Sequence, residues 1–358
     1  MWDLLQSRGP ELGLHLNASK CEWSWLNPER KGPCPIKLDG VSDENQIKLV
    51  PHAEIQMLGV PLGDDVFVAE FVDKKLIGRL QKTVDKLVDF EDTQSATYLL
   101  RVSFSIVRAV HFMRTTPLEQ WKEQATKFDT MIRKAIVSIL GFTMDDTTFA
   151  QASLTPRLGG LGLRKVVEHA DLAFHASWFE SQRTAKEEWS PPLKLPATYL
   201  SQKEASFEFD SKVHEYLIDN ADTRGAQRLR RAQPHACGFI TAVPSDDDGK
   251  DTILPPRNFR IAVAYRLGVT VINKEIPCPL CTQLINTFGD HATCCTKSGD
   301  LIIRHNSLRN LIDSVGSDGQ LSPVLERKVF WVTQLADDLE MLPSSDGQNQ
   351  RDWQSMWQ

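Results

Sequence analysis

Four residues in the C-terminal part of this 358-residue chain carry its clearest chemistry. Cys278-Pro-Leu-Cys281 is followed by His291-Ala-Thr-Cys-Cys295. Two thiolates two residues apart can share one ion from a tight turn. A histidine and a cysteine a few positions apart can close the tetrahedron from the start of a helix. Cys295 or Cys294 could supply that last ligand; Cys295 is the better fit and Cys294 the spare. Three thiolates and one imidazole suit Zn²⁺ better than a hard cation. Protein fills all four positions, so the zinc would be structural. The competing reading is a group of small buried cysteines beside a surface histidine. A RING-type ligase would need about eight ligands and two ions, twice the set present.

A second group is cationic. Lys74, Lys75, Arg79, Lys82 and Lys86 lie on the polar side of a Leu76, Leu80, Val84, Leu87 stripe. Residues 71–140 hold 12 basic and 8 acidic side chains. Such a face can meet phosphate, and it is also how an ordinary solvated helix looks. Arg224, Arg228, Arg230 and Arg231 form a second cluster in a loop or short helix. Gly159-Gly160-Leu-Gly162 is not read as a phosphate loop, because no Lys-Ser or Lys-Thr follows it.

Composition limits what these groups can belong to. The chain is 41% apolar and 25% charged with a net charge of −6, which is ordinary for a soluble globular protein and argues against general disorder. No apolar run approaches the roughly 20 residues of a membrane span. The first residues lack the basic and apolar regions of a secretory signal. The seven cysteines are an odd number, unlike a secreted disulfide framework. The expected location is intracellular, nucleus or cytoplasm, and not secreted. Mild acidity alone gives no reason to expect a simple basic nucleic-acid binder. Residues 313–358, however, hold 8 acidic and 3 basic side chains, so most of the net charge comes from that end.

The elements that must position these groups are mainly α, with a small α+β piece at the N-terminus. Ile55 to Leu62 reads as a strand running into a turn. Residues 66–180 read as helical. The Leu76 stripe makes one helix. Residues 96–113 are apolar nearly all round and should form one buried helix capped by Asp92 or Thr93. Trp121, Ala125, Phe128, Ile132, Ile136 and Ile139 form a third stripe stopped by Gly141. A fourth helix is expected over 165–182. Asp64-Asp65 and Met144-Asp145-Asp146 read as turn and loop. Three glycines within Leu154 to Arg164 demand a backbone reason. Residues 183–250 are less regular, 257–268 form a helix closed by Gly268, and 302–313 form another. Residues 329–358 show three tryptophans and little periodicity.

Several segments, in order, resemble the C-terminal part of a LINE-type (non-LTR) retrotransposon reverse transcriptase, of the class with a CCHC zinc knuckle and a restriction-like endonuclease. They are Gly13-Leu-His-Leu-Asn-Ala-Ser-Lys-Cys-Glu22, Leu58-Gly-Val-Pro-Leu-Gly63, Gln94 to Arg101, Leu154 to Arg164, and the cysteine cluster followed by Arg304-His-Asn306. The resemblance covers roughly 8–328. It implies a partial palm over 1–65, a helical thumb over 66–182 and a linker or irregular helical region over 183–256. A zinc knuckle and the start of an endonuclease-like region follow over 257–328, then an unmatched tail over 329–358. It also implies RNA or DNA as partner, contacted by Lys74, Lys75, Arg79, Lys82, Arg101, Arg304 and His305, with no membrane role.

The family enzyme polymerises with two Mg²⁺ ions on an aromatic-x-Asp-Asp hairpin. That hairpin precedes the Gly13 segment in the family and has no counterpart between Met1 and Leu12. Mg²⁺ is therefore expected only in the intact family enzyme. Lys20 matches a family lysine near the leaving pyrophosphate, a role that is idle without the aspartates. Ser322 to Lys328 resembles the approach to the endonuclease core, but no Pro-Asp follows, and Glu326 alone cannot hold a metal. The expectation is a catalytically incomplete fragment that binds RNA or DNA through thumb and knuckle. Two alternatives stand beside it. One is the C-terminal portion of an active RNA-directed DNA polymerase and endonuclease whose upstream part lies outside this sequence. The other is a zinc-dependent interaction module.

Overall fold

Apolar residues at helical spacing dominate the sequence, and the computed structural model is mainly helical, with only short strand pairs among the described residues. It describes residues 2–318 except 26, 28, 30–31, 37–41, 43–44, 53, 186–200, 233, 246–251 and 298. The tail expected over 329–358 and the Ser322 to Lys328 segment lie outside the described residues. The chain divides into two units, Met1–Asn273 and Lys274–Gln358.

The first unit opens with helix α1 (Trp2–Arg8) and two small strand pairs. Strand β1 (Glu22–Trp23) runs parallel to β2 (Lys48–Leu49). Strands β3 (Glu54–Met57) and β4 (Val60–Gly63) form an antiparallel hairpin. The strand expected over Ile55 to Leu62 is thus folded back on itself. Leu58 (φ 50°) and Gly59 (φ 84°) take the two left-handed conformations of a tight hairpin turn.

Helices then follow almost without a break. Helix α2 (Asp65–Val72) passes through a π-helical turn, Asp73–Ile77, into α3 (Gly78–Val88). Helix α4 (Thr93–Leu99) is capped by Asp92, which accepts a hydrogen bond from Gln94 N at 3.0 Å. The single helix expected over 96–113 is broken. A second π-helical turn (Leu100–Phe104) and a 3₁₀ turn (Ile106–Arg108) separate α4 from α5 (Val110–Thr115). Ser105 leaves helical space between the two turns (φ −87°, ψ −145°). A segment apolar on all sides has no period with which to announce such a break.

Helix α6 (Lys122–Leu140) is the centre of the core. Its Ala125, Phe128, Ile132, Ala135, Ile136 and Ile139 are buried at helical spacing, and it packs on α3, α4 and α8 (Val166–Ala185). Gly141 (φ 74°) closes it as expected. Helix α7 (Asp146–Ser153) replaces the expected loop, because Asp145 is its N-cap, accepting from Thr148 N at 2.7 Å. Asp64 likewise starts α2, accepting from Phe67 N at 2.9 Å. Both Asp-Asp pairs are helix starts. Helices α9 (Gln202–Asp219), α10 (Thr223–Arg231) and α11 (Gly238–Thr241) occupy much of the stretch read as irregular. Ser201 and Glu204 form a capping box on α9. Helix α12 (Pro256–Leu267), which sequence grouped with the zinc region, buries Phe259, Val263 and Leu267 in the first unit's core.

Asp129 of α6 reaches across to the start of α8 and accepts from Val166 N (2.7 Å) and Val167 N (3.0 Å). Burial outweighs these bonds and raises its pKa to about 6. The folded state holds this proton more tightly than the unfolded chain does. Its contribution to stability therefore falls as pH rises between the ordinary aspartate value of 3.8 and about 6, and is constant above. The span corresponds to roughly 2–3 kcal/mol. Asp129→Asn should flatten the stability profile across that window relative to the wild type. Denaturation midpoints at both ends of the window check this, and an unchanged difference between the two proteins would contradict it.

The glycine segment also has its backbone reason. A Cβ on Gly160 would stand 2.0 Å from the Leu154 carbonyl oxygen, and Gly159 and Gly162 have φ of 88° and 80°. The buried guanidinium of Arg266 fastens this loop, donating to the carbonyls of Pro156 (2.5 Å), Ala236 (3.1 Å) and Gly160 (3.4 Å). Nearby, Arg164 donates twice to buried Asp210, at 2.9 and 2.7 Å, tying the loop's end to α9. Gly160→Ala must displace backbone. A loss of about 3 kcal/mol or more is expected, read as a lowered thermal midpoint; wild-type stability would refute the packing argument.

The second unit contains hairpin β5 (Ile276–Pro277) and β6 (Leu284–Ile285), then α13 (Asp290–Cys294) and α14 (Asp300–Asp318).

Candidate functional site

The tip of the β5–β6 hairpin is built by its cysteines. Cys278 N donates to the Gln283 carbonyl (2.7 Å), and Thr282 N donates back to the Cys278 carbonyl (3.2 Å). Closing this loop puts Thr282 at φ 67°, an uncommon conformation for a β-branched residue. The backbone N–H groups of Leu280 and Cys281 point at the Cys278 sulfur. They lower its pKa to about 6, so the thiolate forms readily. At Cys281 the Gln283 N–H pulls the same way, but desolvation and the adjoining sulfurs of Cys295 and Cys278 outweigh it and raise that pKa.

The other two candidate ligands come from α13 and the residue that follows it. Gly289 (φ 79°) turns the chain into the helix. Asn286 fixes its first turn, accepting from Asp290 N (2.9 Å) and donating to the Asp290 carboxylate (2.8 Å). His291 then projects from the first turn and Cys295 follows the last residue. Sequence reasoning missed Asn286, Thr282 and Gly289 as positioning residues. An Asn placed before a Gly-Asp helix start was the available signal.

The four ligand atoms of Cys278, Cys281, His291 and Cys295 lie within 4.8 Å of one another. The Cys278–Cys295 and Cys281–Cys295 sulfur separations are 3.9 and 3.7 Å, and Cys281 Sγ is 3.0 Å from His291 Nε2. A tetrahedral ion with metal–sulfur bonds of about 2.3 Å has sulfur–sulfur edges of about 3.8 Å. The two sulfur edges match; the Cys281–His291 edge is shorter, at hydrogen-bond length. Cys294 is exposed and its sulfur faces the Asp290 and His291 carbonyls, outside the cluster. The cluster, closed by Cys295, can hold a metal ion.

The described part of this unit has little else to hold it together. Among the described residues after Leu267, the buried apolar side chains are Cys278 and Cys295 alone.

The cationic residues sort differently. Arg79, Lys82 and Lys86 are exposed and follow one face of α3 at i, i+3 and i+7. Gln81, Asp85 and Val88 lie on another flank, lining a groove against Lys127, Met131 and Lys134 of α6. Lys74 and Lys75 sit on the π-helical turn just before, with Lys74 exposed and Lys75 over the Phe71 ring (5.6 Å). Arg101 belongs to the other π-helical turn and is half-buried, stacked on Tyr98 (5.2 Å) and packed beside Gly162. Its burial lowers its pKa. Lys20 is exposed at the end of a 3₁₀ turn, Ala18–Lys20. His305 is exposed on α14, and the side chain of Arg304 lies outside the described ones. In the second arginine cluster, Arg228 is turned inward to the Arg266 carbonyl, and burial lowers its pKa to about 10.

No protein-family model, no curated protein and no solved structure matches this chain. Among the described residues, no helix is long and apolar enough to cross a membrane.

Proposed function

We propose that this chain is a nucleic-acid-binding segment of reverse-transcriptase type, held in its second unit by one structural zinc. The observation that carries the reading is the four-ligand cluster in a unit whose described part buries almost nothing else. A stretch that buries this little requires a staple. Three thiolates and an imidazole, with two sulfur–sulfur edges of tetrahedral length, make zinc the ion of choice, and a filled coordination sphere makes its role structural.

The resemblance to non-LTR retrotransposon polymerases supplies the class of partner, and the exposed row Arg79, Lys82 and Lys86 supplies the means. Lys and Arg on a thumb-like helix follow a duplex by its phosphates, without reading its sequence. Chemistry is not assigned. The Asp64-Asp65 and Asp145-Asp146 pairs begin helices, and Asp146 is engaged by Arg133 at 2.6 Å. The test is a primer–template incubated with the purified chain, dNTPs and Mg²⁺. The duplex should be retained and the primer should stay its original length. Primer extension would overturn the reading in favour of an active polymerase.

A further inference from the structure

Helix α14 is 19 residues long, and among the described residues its apolar side is uncovered. Leu308, Leu311, Ile312 and Val315 recur at i, i+3, i+4 and i+7, and each is at least 60% exposed. A stripe of this kind is the core-facing side of a packed helix, and the described residues of its unit put nothing on it. The charges beside it are segregated. The basic residues at 304, 305 and 309 occupy the first half, and the acidic ones at 313 and 318 the second.

The sequence that follows is complementary in length, pattern and charge. Ser322-Pro323 is a helix-start pair, with a capping residue and proline at the first helical position. Pro343 marks the stop. Between them Leu325, Val329, Val332, Ala336 and Leu339 repeat at i, i+4, i+7, i+11 and i+14. This stripe begins before residue 329, so a reading that starts there cuts it short. A helix over 323–342 would span about 30 Å against about 28 Å for α14. Gly319 to Ser322 is a connection of ordinary length for antiparallel neighbours. An antiparallel pairing then sets Asp337 and Asp338 opposite positions 304 and 305. It brings Arg327 and Lys328 beside the acidic 313–318 end.

We infer that residues 323–342 are the occupant of the α14 stripe, folding back as an antiparallel helix to make an αα-hairpin after the cysteine cluster. The hairpin gives the second unit an apolar core of its own.

Hydrogen exchange on the zinc-loaded full chain tests this. Amides of 305–317 and of 326–341 should be protected together. Val332→Asp with Leu339→Asp should speed exchange in both segments by at least about tenfold. Gln334→Asp, on the opposite face, should not. Reversing Asp337 and Asp338 to Lys should loosen both segments, and adding Arg304→Asp and His305→Asp should restore them. Three results would overturn the proposal. One is α14 exchanging as an open helix. Another is protection indifferent to Val332 and Leu339. The third is protection that fades on dilution while sedimentation shows a dimer, which would assign the stripe to a second copy of the chain.

Discussion

Cys281→Ser should leave the chain without bound zinc and unfold residues 274–296 while the first unit stays folded. A serine hydroxyl is a poor zinc ligand, and the remaining three donors cannot close the tetrahedron. The consequence is large because binding and folding are coupled in such units. Structural zinc in small modules contributes about 10–16 kcal/mol of apparent binding free energy at neutral pH. The described part of this unit buries little besides two of the ligands. The first unit has its own core around Trp121, Phe128, Ile136 and Leu140 and shares none of the four ligands. Metal analysis should return one zinc per wild-type chain and none for the variant. Exchange protection should vanish over 276–295 only. A variant that keeps its metal, or a wild type that never holds one, would remove the metal centre from the account. Cys294→Ser is the matched control and should change neither reading, because its sulfur faces backbone carbonyls outside the cluster.

The second large effect concerns the α3 row. Replacing the row, Arg79, Lys82 and Lys86, together with Lys75 of the π-helical turn before it, by alanine should weaken binding to an RNA–DNA duplex by about 10²–10³-fold near 0.1 M salt. It should leave the fold intact, since none of the four belongs to the core. Each lost phosphate contact should also reduce the dependence of log affinity on log salt by about 0.9. The loss should be alike on unrelated sequences, because phosphate contacts carry no base information. Arg101→Ala should behave differently. That side chain is packed beside Gly162, and truncating it should lower thermal stability before it alters the salt slope. A quartet variant that binds as well as the wild type would return the row to an ordinary solvated face.

How much of this was legible in the sequence follows from what each feature depends on. The ligand set was readable because cysteine spacing is itself geometry: two residues between thiolates define a turn. Helix α6 was readable because its buried side repeats from Trp121 to Ile139. Helices α9 and α10 were not, because their buried sides are thin. Helix α9 buries Ser206 and Asp210 beside a single Leu217, and α10 buries only Ala226 and Leu229. Asp145 and Asp64 read as loop and turn residues because N-caps and turns favour the same short acidic side chain. The placement of α12 could not come from its neighbours in sequence. Phe259 and Val263 belong to a core assembled largely from residues 68–173. Thr282 was invisible for the opposite reason, since a left-handed threonine contradicts its own preference and is imposed by the loop that closes on Cys278.

The central claim is that this chain binds nucleic acid through phosphate contacts, and fluorescence anisotropy against salt tests it most directly. The zinc-loaded full chain is titrated onto a labelled RNA–DNA duplex between about 50 and 200 mM salt. Four contacts predict a slope of about −3.6 and an affinity loss of about 10²-fold across that range. A chain that fails to bind at the lowest salt, or binds with a slope near zero, would contradict the account.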